Sequence, residues 1–314
     1  MSTSTESLRR QRAHFYSSLS FLRGHEATLA SSTLEGLEQA RSLGNLRCTG
    51  GSARAWVRHL EWDSRYFGIP TYRLDFADWD ASVADPAAAL AATLSALKEE
   101  MTAGGQGYYF FADVPTEDIV VLQALGLAGL RLIETRLTYF HDRLDEVDVS
   151  RLRPTRMAGI SDIPGLRSAA GNARNPYDRF HADPFFSART ADEFVAEYVE
   201  QSVRGLADVV LVPAEGASAD GFVCGKLAEP APFGIKAGRL TLAAVDAPRR
   251  GWYRDLNAAL LCWMRDQGMA YCLNTTQSTN RSVIHVCEQL GYRCGRISHV
   301  LAGYCRSVSA KTVS

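Results

Sequence analysis

Arg249, Arg250 and Gly251 stand together in Pro248-Arg249-Arg250-Gly251-Trp252-Tyr253, directly ahead of the apolar helical pattern DLNAALLCWMRDQG. Two guanidinium groups and a glycine at the head of a helix are the ingredients of an anion site. The glycine permits a close backbone approach, the arginines add positive charge, and the helix aims unsatisfied N–H groups at the same point. A pyrophosphate suits such a turn best. Downstream, the strand-like run YCLNTTQ leads to Asn280 at the head of a second helical pattern, which closes on Leu290-Gly291-Tyr292. Taken singly, such an asparagine is a helix cap and such a glycine a C-cap. Together, on alternating strand and helix patterns, they form a constellation.

A second group of polar residues lies in Asn175–Phe186, NPYDRFHADPFF, which lacks helical periodicity. His181, a residue type whose ordinary pKa lies near operating pH, is the candidate general base. Arg179 offers a planar fork suited to a phosphate, and Tyr177 and Phe180 offer faces for a pyrimidine or sugar. The plainer alternative is a surface loop whose Asp183-Pro184 leads into a helix at Ala191. The other histidines, at 14, 25, 59, 141, 285 and 299, have no neighbours that suggest chemistry.

Three regions supply the elements that must position these residues. Residues 1–54 read as a helical extension ending in the loose run Leu43–Ser52. Residues 55–146 alternate strand and helix: apolar runs in Trp56–Phe76, an alanine-rich helix at Pro86–Met101, a buried strand at Tyr108–Val114, a helix at Glu117–Leu125 and a strand at Leu130–Phe140. Trp62, Asp63, Tyr66 and Phe67 read as a strand-end packing cluster. After a charged link, residues 151–305 carry the two constellations. Tyr108–Phe140 and Tyr271–Tyr304 share an order of strand, turn, helix, Leu-Gly and aromatic-ended strand, which suggests a pseudo-repeat. The first copy has neither the Arg-Arg-Gly turn nor an asparagine matching Asn280.

Composition narrows the function classes. The chain has 314 residues, 46% of them hydrophobic and 22% charged, as in ordinary globular proteins with room for two domains. A formal net charge of −1 argues against a nucleic-acid partner. Seven cysteines without metal-ligand spacing read as reduced thiols, so a cytoplasmic protein without a bound metal is expected. No run reaches the length of a membrane span, and the N-terminus lacks the apolar core of a secretory signal.

The order of elements from Arg239 to Tyr292 resembles the GNAT acetyltransferase superfamily. That family's turn pattern, Gln/Arg-x-x-Gly-x-Gly/Ala, keeps only Gly251 here, whereas its helix pattern is matched by Thr276-Gln277-Ser278-Thr279-Asn280, Val283 and Leu290-Gly291-Tyr292. Leu60–Gly68, Asn175–Phe186 and Val203–Val212 are further similar to the nucleotide-amino-sugar N-acetyltransferases, the group of TDP-fucosamine acetyltransferase.

The resemblance implies an α/β protein of GNAT fold with a mixed sheet, in which a partial GNAT-like domain (55–146) precedes a full catalytic one (151–305). It implies acetyl-CoA as co-substrate, held by the backbone of Ala243, Ala244 and Val245 and by Arg249, Arg250, Gly251, Trp252, Tyr253 and Asn280. An N–H near Val245 would serve as the oxyanion donor. The acceptor would be a small-molecule amine on a TDP-type nucleotide sugar, attacked directly in a ternary complex; a homodimer is left open. The family's leaving-group acid is often a tyrosine seven residues after the helix asparagine, where this chain has Cys287. Either that thiol protonates the departing CoA, or it merely packs beside Leu290 while water or Tyr253 does so. Another small-molecule amine as acceptor, or a non-catalytic acyl-CoA-binding protein, are the alternative readings.

Overall fold

The computed structural model describes residues 3–103, 105–148, 150, 152–215, 220–228, 234–246 and 251–306. Pro248, Arg249 and Arg250 lie outside the described residues. The chain forms two compact units, one of residues up to Thr135 together with those from Arg296 onward, the other of Arg136–Gly295. Among the described residues no helix is long and apolar enough to cross a membrane.

The first unit contains α1 (Thr3–Ala13), α2 (Glu26–Ser42), β1 (Arg47–Gly50), β2 (Ala53–His59), α3 (Glu61–Phe67), β3 (Thr71–Trp79), α4 (Pro86–Thr102), β4 (Tyr108–Pro115), α5 (Ile119–Leu127) and the start of β5 (Arg131–His141). Its sheet runs β1-β2-β3-β4 and ends on β11 (Arg293–Cys305); β3 and β4 are parallel and the other pairs antiparallel. Leu90, Leu94 and Leu97 of α4 and Val121 and Leu125 of α5 pack on Leu74, Phe110 and Ala112 of the sheet.

The second unit holds the rest of β5, then β6 (Thr155–Met157), α6 (Ile163–Asn172), α7 (Arg179–Ala182), α8 (Ala188–Gln201), β7 (Val209–Pro213), β8 (Gly221–Leu227), β9 (Ala237–Val245), α9 (Trp252–Asp266), β10 (Tyr271–Gln277) and α10 (Arg281–Gln289). Its sheet order is β6-β7-β8-β9-β10-β5, with β9 and β10 parallel. Leu256, Leu260, Leu261 and Met264 of α9 are completely buried. The sheet lets the helix approach by omitting side chains. A Cβ at Gly225 would lie 2.5 Å from Leu260, and one at Gly238 2.1 Å from Met264.

The mixed α/β architecture follows the sequence reading, and several local expectations are corrected. The run Leu43–Ser52 contains β1, which pairs with β2 through Arg47–Val57 and Gly50–Arg54. Trp62 and Tyr66 stack on one another at 5.4 Å along α3, a helix and not a strand end. The two units divide inside β5, at Thr135/Arg136, and inside β11, at Gly295/Arg296. The closing strand of each copy of the pseudo-repeat is thereby paired in the other copy's unit: β5 with β10, β11 with β4.

His141, the last residue of β5, secures the end of α10. Its Nε2 donates to the Leu290 carbonyl oxygen (2.9 Å), its Nδ1 accepts from the Arg143 amide (3.2 Å), and its ring stands edge-on to Tyr292. This pattern requires the neutral ring, and burial lowers its pKa below the ordinary value. The unfolded chain therefore takes up the proton first as pH falls through about 6.5. The stability His141 contributes is full above that pH and declines below it. Denaturant unfolding should show His141→Gln less stable than the wild type at pH 7.5, with the gap narrowing at pH 5.5. A pH-independent gap would refute the neutral-ring assignment.

Candidate active site

An irregularity in β9 generates the site. Cys224 of β8 faces Leu242, and the next residue, Gly225, faces Leu240, so Thr241 is an extra residue with none opposite it in register on β8. Such a bulge bends its strand and sharpens the local twist. The parallel pairing of β9 with β10 runs from Ala237–Tyr271 to Leu240–Asn274 and stops at the bulge. Beyond it, Leu242–Val245 follow β8 while Thr275–Gln277 follow β5. A wedge opens between two strand edges that elsewhere would satisfy each other. Backbone N–H and C=O groups along such edges call for partners, and an extended amide-bearing ligand supplies them.

The helix after β9 closes one end of the wedge. Gly251 opens α9 with φ at +93°, a backbone conformation that any side chain would strain. Arg153, which sequence reasoning missed, stands beside it. Its guanidinium lies 4.1 Å from the Trp252 ring centroid, pairs with Asp255 in the first helical turn, and approaches within 3.8 Å of where a Gly251 Cβ would be. Nothing in the RLRPT context marks Arg153, because its partner Asp255 is distant in sequence. At α10, Asn280 accepts from the Val283 N–H through Oδ1 (3.3 Å), as a helix cap does, which leaves its Nδ2 end to donate elsewhere.

Beneath the wedge lies a buried polar network. Asn274, the last β10 residue paired with β9, donates through Nδ2 to the Tyr253 hydroxyl (2.9 Å) and lies 3.3 Å from Cys287 Sγ. Asn257 donates to the same hydroxyl (3.3 Å) and accepts from the Tyr292 hydroxyl (2.8 Å). Tyr253 is partly exposed along its ring, while its hydroxyl end is enclosed. Burial raises its pKa, and the nearby Cys287 thiol adds to the rise. Cys287 is completely buried, and burial pushes its thiol up to about 12. It is a neutral packing group in the core of α9 and α10, so the catalytic role considered for it finds no structural support.

The other mouth of the wedge is bridged by the segment between α6 and α7. Asn172 Nδ2 reaches Asp246 Oδ2 (3.3 Å), one residue past the end of β9, and Asn175 Nδ2 donates to Gln277 Oε1 (2.6 Å) at the end of β10. Sequence reasoning passed over Asn172 and Asp246, which lie outside every motif.

The Asn175–Phe186 segment is folded differently from the expected open loop. Asp178 caps the short helix α7 by accepting from the amides of Phe180 (2.8 Å) and His181 (3.1 Å). His181 is clamped: Nδ1 lies 2.7 Å from Asp178 Oδ2, and Nε2 lies 3.1 Å from Asp192 Oδ1 on α8. With both ring nitrogens against carboxylates and the side chain 4% exposed, no lone pair faces an incoming amine. The assignment of His181 as general base is corrected to a structural clamp between α7 and α8. Arg179 is likewise buried, with its guanidinium 4.4 Å from the Phe180 ring. Phe180 packs on Phe186 and Phe194 in a small aromatic cluster and offers no free face to a sugar. Tyr177, at 56% exposure, alone of the four is open to a ligand.

No sequence-family model and no curated protein matches the chain. Its fold does match solved structures. The GCN5-related N-acetyltransferase from Sphaerobacter thermophilus superposes with a TM-score of 0.55 at 13% identity, over 94% of this chain and 91% of that one. The GCN5-related N-acetyltransferase from Kribbella flavida gives 0.53 at 13%, over 90% and 96%. A tandem GNAT protein from the clavulanic acid biosynthesis pathway gives 0.52 at 14%, over 85% and 87%. The chain therefore has the GNAT fold.

If His181 is a clamp, His181→Asn should lower the melting temperature by roughly 3 °C or more, since its hydrogen bonds to two carboxylates are lost. Any activity of the folded fraction should keep the wild-type acidic limb in its pH–rate profile. Disappearance of that limb at unchanged stability would restore the base assignment.

Proposed function

We propose that the chain is an acetyl-CoA-dependent N-acetyltransferase acting on a small-molecule primary amine. The observation that carries this reading is the wedge between β9 and β10, set at a bulge and leading to a glycine-opened helix. A thioester donor needs an extended cleft with backbone partners for its amide arm and an anion site at one end for its pyrophosphate. The edge of Ala243–Val245 and the head of α9 supply these two features in that order. Gly251, Trp252 and Asn280 hold the cofactor, and Arg249 and Arg250, which directly precede Gly251 in the sequence, are assigned to the pyrophosphate with them. Arg153 joins the anion site as a cation already oriented by Asp255 and Trp252.

The reaction needs three further groups. An N–H of the parted β9 edge near Val245 stabilises the tetrahedral oxyanion. Asp246, at the end of that strand, is the carboxylate assigned to the amine, holding its ammonium form and accepting the proton it must lose. Tyr253 is the leaving-group acid. Two amide N–H groups already point at its oxygen, so the phenolate left after proton transfer to the CoA thiolate finds its hydrogen bonds in place. Burial keeps the group protonated until the thiolate forms beside it. Cys287 has a single amide partner and is completely buried, whereas the Tyr253 ring is partly exposed, so the cysteine is the poorer donor.

The acceptor is read as an amine on a nucleotide-linked sugar only through the sequence resemblance. Phe180, foreseen for its ring, packs instead on Phe186 and Phe194. Tyr177, Asn172 and Asn175 are the residues assigned to the acceptor side.

Gly251→Asp introduces a strained backbone and a carboxylate at the anion site. Calorimetry should show the acetyl-CoA dissociation constant rising at least about tenfold; an unchanged constant would take the turn out of the site. Tyr253→Phe should cut turnover by about a hundredfold with acetyl-CoA affinity retained, while Cys287→Ala stays nearly as active as the wild type. The reverse ranking would transfer the acid's task to the cysteine. Both rates are read as thiol release from acetyl-CoA against a panel of amines, TDP- and UDP-amino sugars included.

A further inference from the structure

The first unit repeats the geometry of the second. In β3, Phe76 faces Trp56 and Leu74 faces Val57, so Asp75 is an extra residue in the place of Thr241. Parallel pairing of β3 with β4 ends one residue earlier, at Leu74–Ala112, as that of β9 with β10 ends at Leu240–Asn274. Equal lengths of chain follow, residues 80–85 before α4 and 246–251 before α9. Asp118 lies three residues past β4, as Asn280 lies three past β10. The same wedge is therefore built twice.

The chemistry of the first wedge is inverted. Where Gly251 opens α9, Asp85 opens α4 and accepts from the Ala88 amide (2.9 Å), so a carboxylate already covers the helix head. Residues of α1 and the turn after it fill the opening. Thr5 Oγ1 accepts from the Ala81 amide in the turn (3.0 Å). Arg12 donates through Nη1 to the Ala77 carbonyl oxygen on the parted half of β3 (3.0 Å) and through Nε to Asp118 Oδ1 (3.2 Å). The Tyr16 hydroxyl donates to Asp118 Oδ2 (2.7 Å). Thr5, Arg9 and Ala13 are buried in this seat, and Arg9 pairs with the buried Asp78.

We propose that residues 3–16 are a built-in occupant of a second cofactor-type wedge. They take with their own side chains the turn amide, the strand carbonyl and Asp118 at the head of α5, while Asp85 covers the head of α4. The chain accordingly carries one acyl-CoA site and one permanently filled copy of it. The inference rests on reading the second unit's wedge as the cofactor cleft, and the filling itself stands on the contacts above.

Two measurements on the full chain test it. In a thermal double-mutant cycle, Arg12→Ala and Asp118→Asn should each lower the melting temperature, and the double variant should fall no more than about 1 °C below the worse single. Additive losses would mean that the segment is not seated on Asp118, and would overturn the proposal. Should Arg12→Ala fail to fold, Thr5→Val serves instead, with hydrogen exchange at the Ala81 amide expected to accelerate about tenfold; unchanged exchange would count against the seat. Calorimetry with acetyl-CoA should give one site per chain, lost or severely weakened in Gly251→Asp. Two sites, or a full-strength site surviving in Gly251→Asp, would overturn the proposal. Absence of any binding would instead defeat the reading of the second wedge, and the thermal cycle would then decide the seat alone.

Discussion

A regular ladder cannot absorb one extra residue in a strand. In each unit that residue sits at the same place, Thr241 in β9 and Asp75 in β3, and the following half-strand can no longer pair with its parallel neighbour. Everything that gives the second unit a site depends on this constraint. Past the bulge the two strands pair with other neighbours, β9 with β8 and β10 with β5, and α9 and α10 are the helices that follow them in the chain. A strand without the bulge would pair along its full length and leave only a surface. The bulge residues are held differently: Asp75 is gripped by Arg58 (2.7 Å) and Arg73 (2.6 Å), whereas Thr241 carries no charge. Similar backbone geometry thus persists with different side-chain chemistry.

What could be read beforehand follows from how locally each feature is encoded. The helical period of DLNAALLCWMRD, the cap at Asn280 and the C-terminal glycine at 291 are determined by neighbours a few residues away, and the elements form where their patterns lie. Gly251 was legible for the same reason, because a left-handed turn selects glycine on local sterics alone. The bulges were not legible. They are a property of two strands in register, and residues 241 and 75 differ from their surroundings in nothing that a single strand displays. His181 failed for a related reason. Its neighbours Arg179, Phe180 and Asp183 suggested an open polar loop, but Asp192 arrives from α8 and Phe194 covers the aromatic side. A polar cluster without periodicity can equally be a tightly capped corner, and only the distant partner separates the two.

The network under the second wedge raises a question of cost. Asn257 and Asn274 are fully or nearly fully buried, and burying an amide without partners is strongly unfavourable. Here the amides meet two tyrosine hydroxyls and a thiol, so the expense of desolvation is largely offset, and the geometry is specific in return. Asn274 is fixed in register by its last backbone pairing with Leu240, and Tyr253 and Asn257 stand one turn apart on α9. The contacts therefore tie the head of α9 to the exact strand position at which the wedge begins. An apolar substitute would fill the same volume without fixing the helix's rotation. The first unit reaches rigidity at its wedge by another route, with Arg12 and Tyr16 converging on Asp118 from a separate segment. One wedge is held from below; the other is held from within. That difference in where the polar partners enter separates the cleft proposed for a ligand from the one proposed to be filled by its own chain.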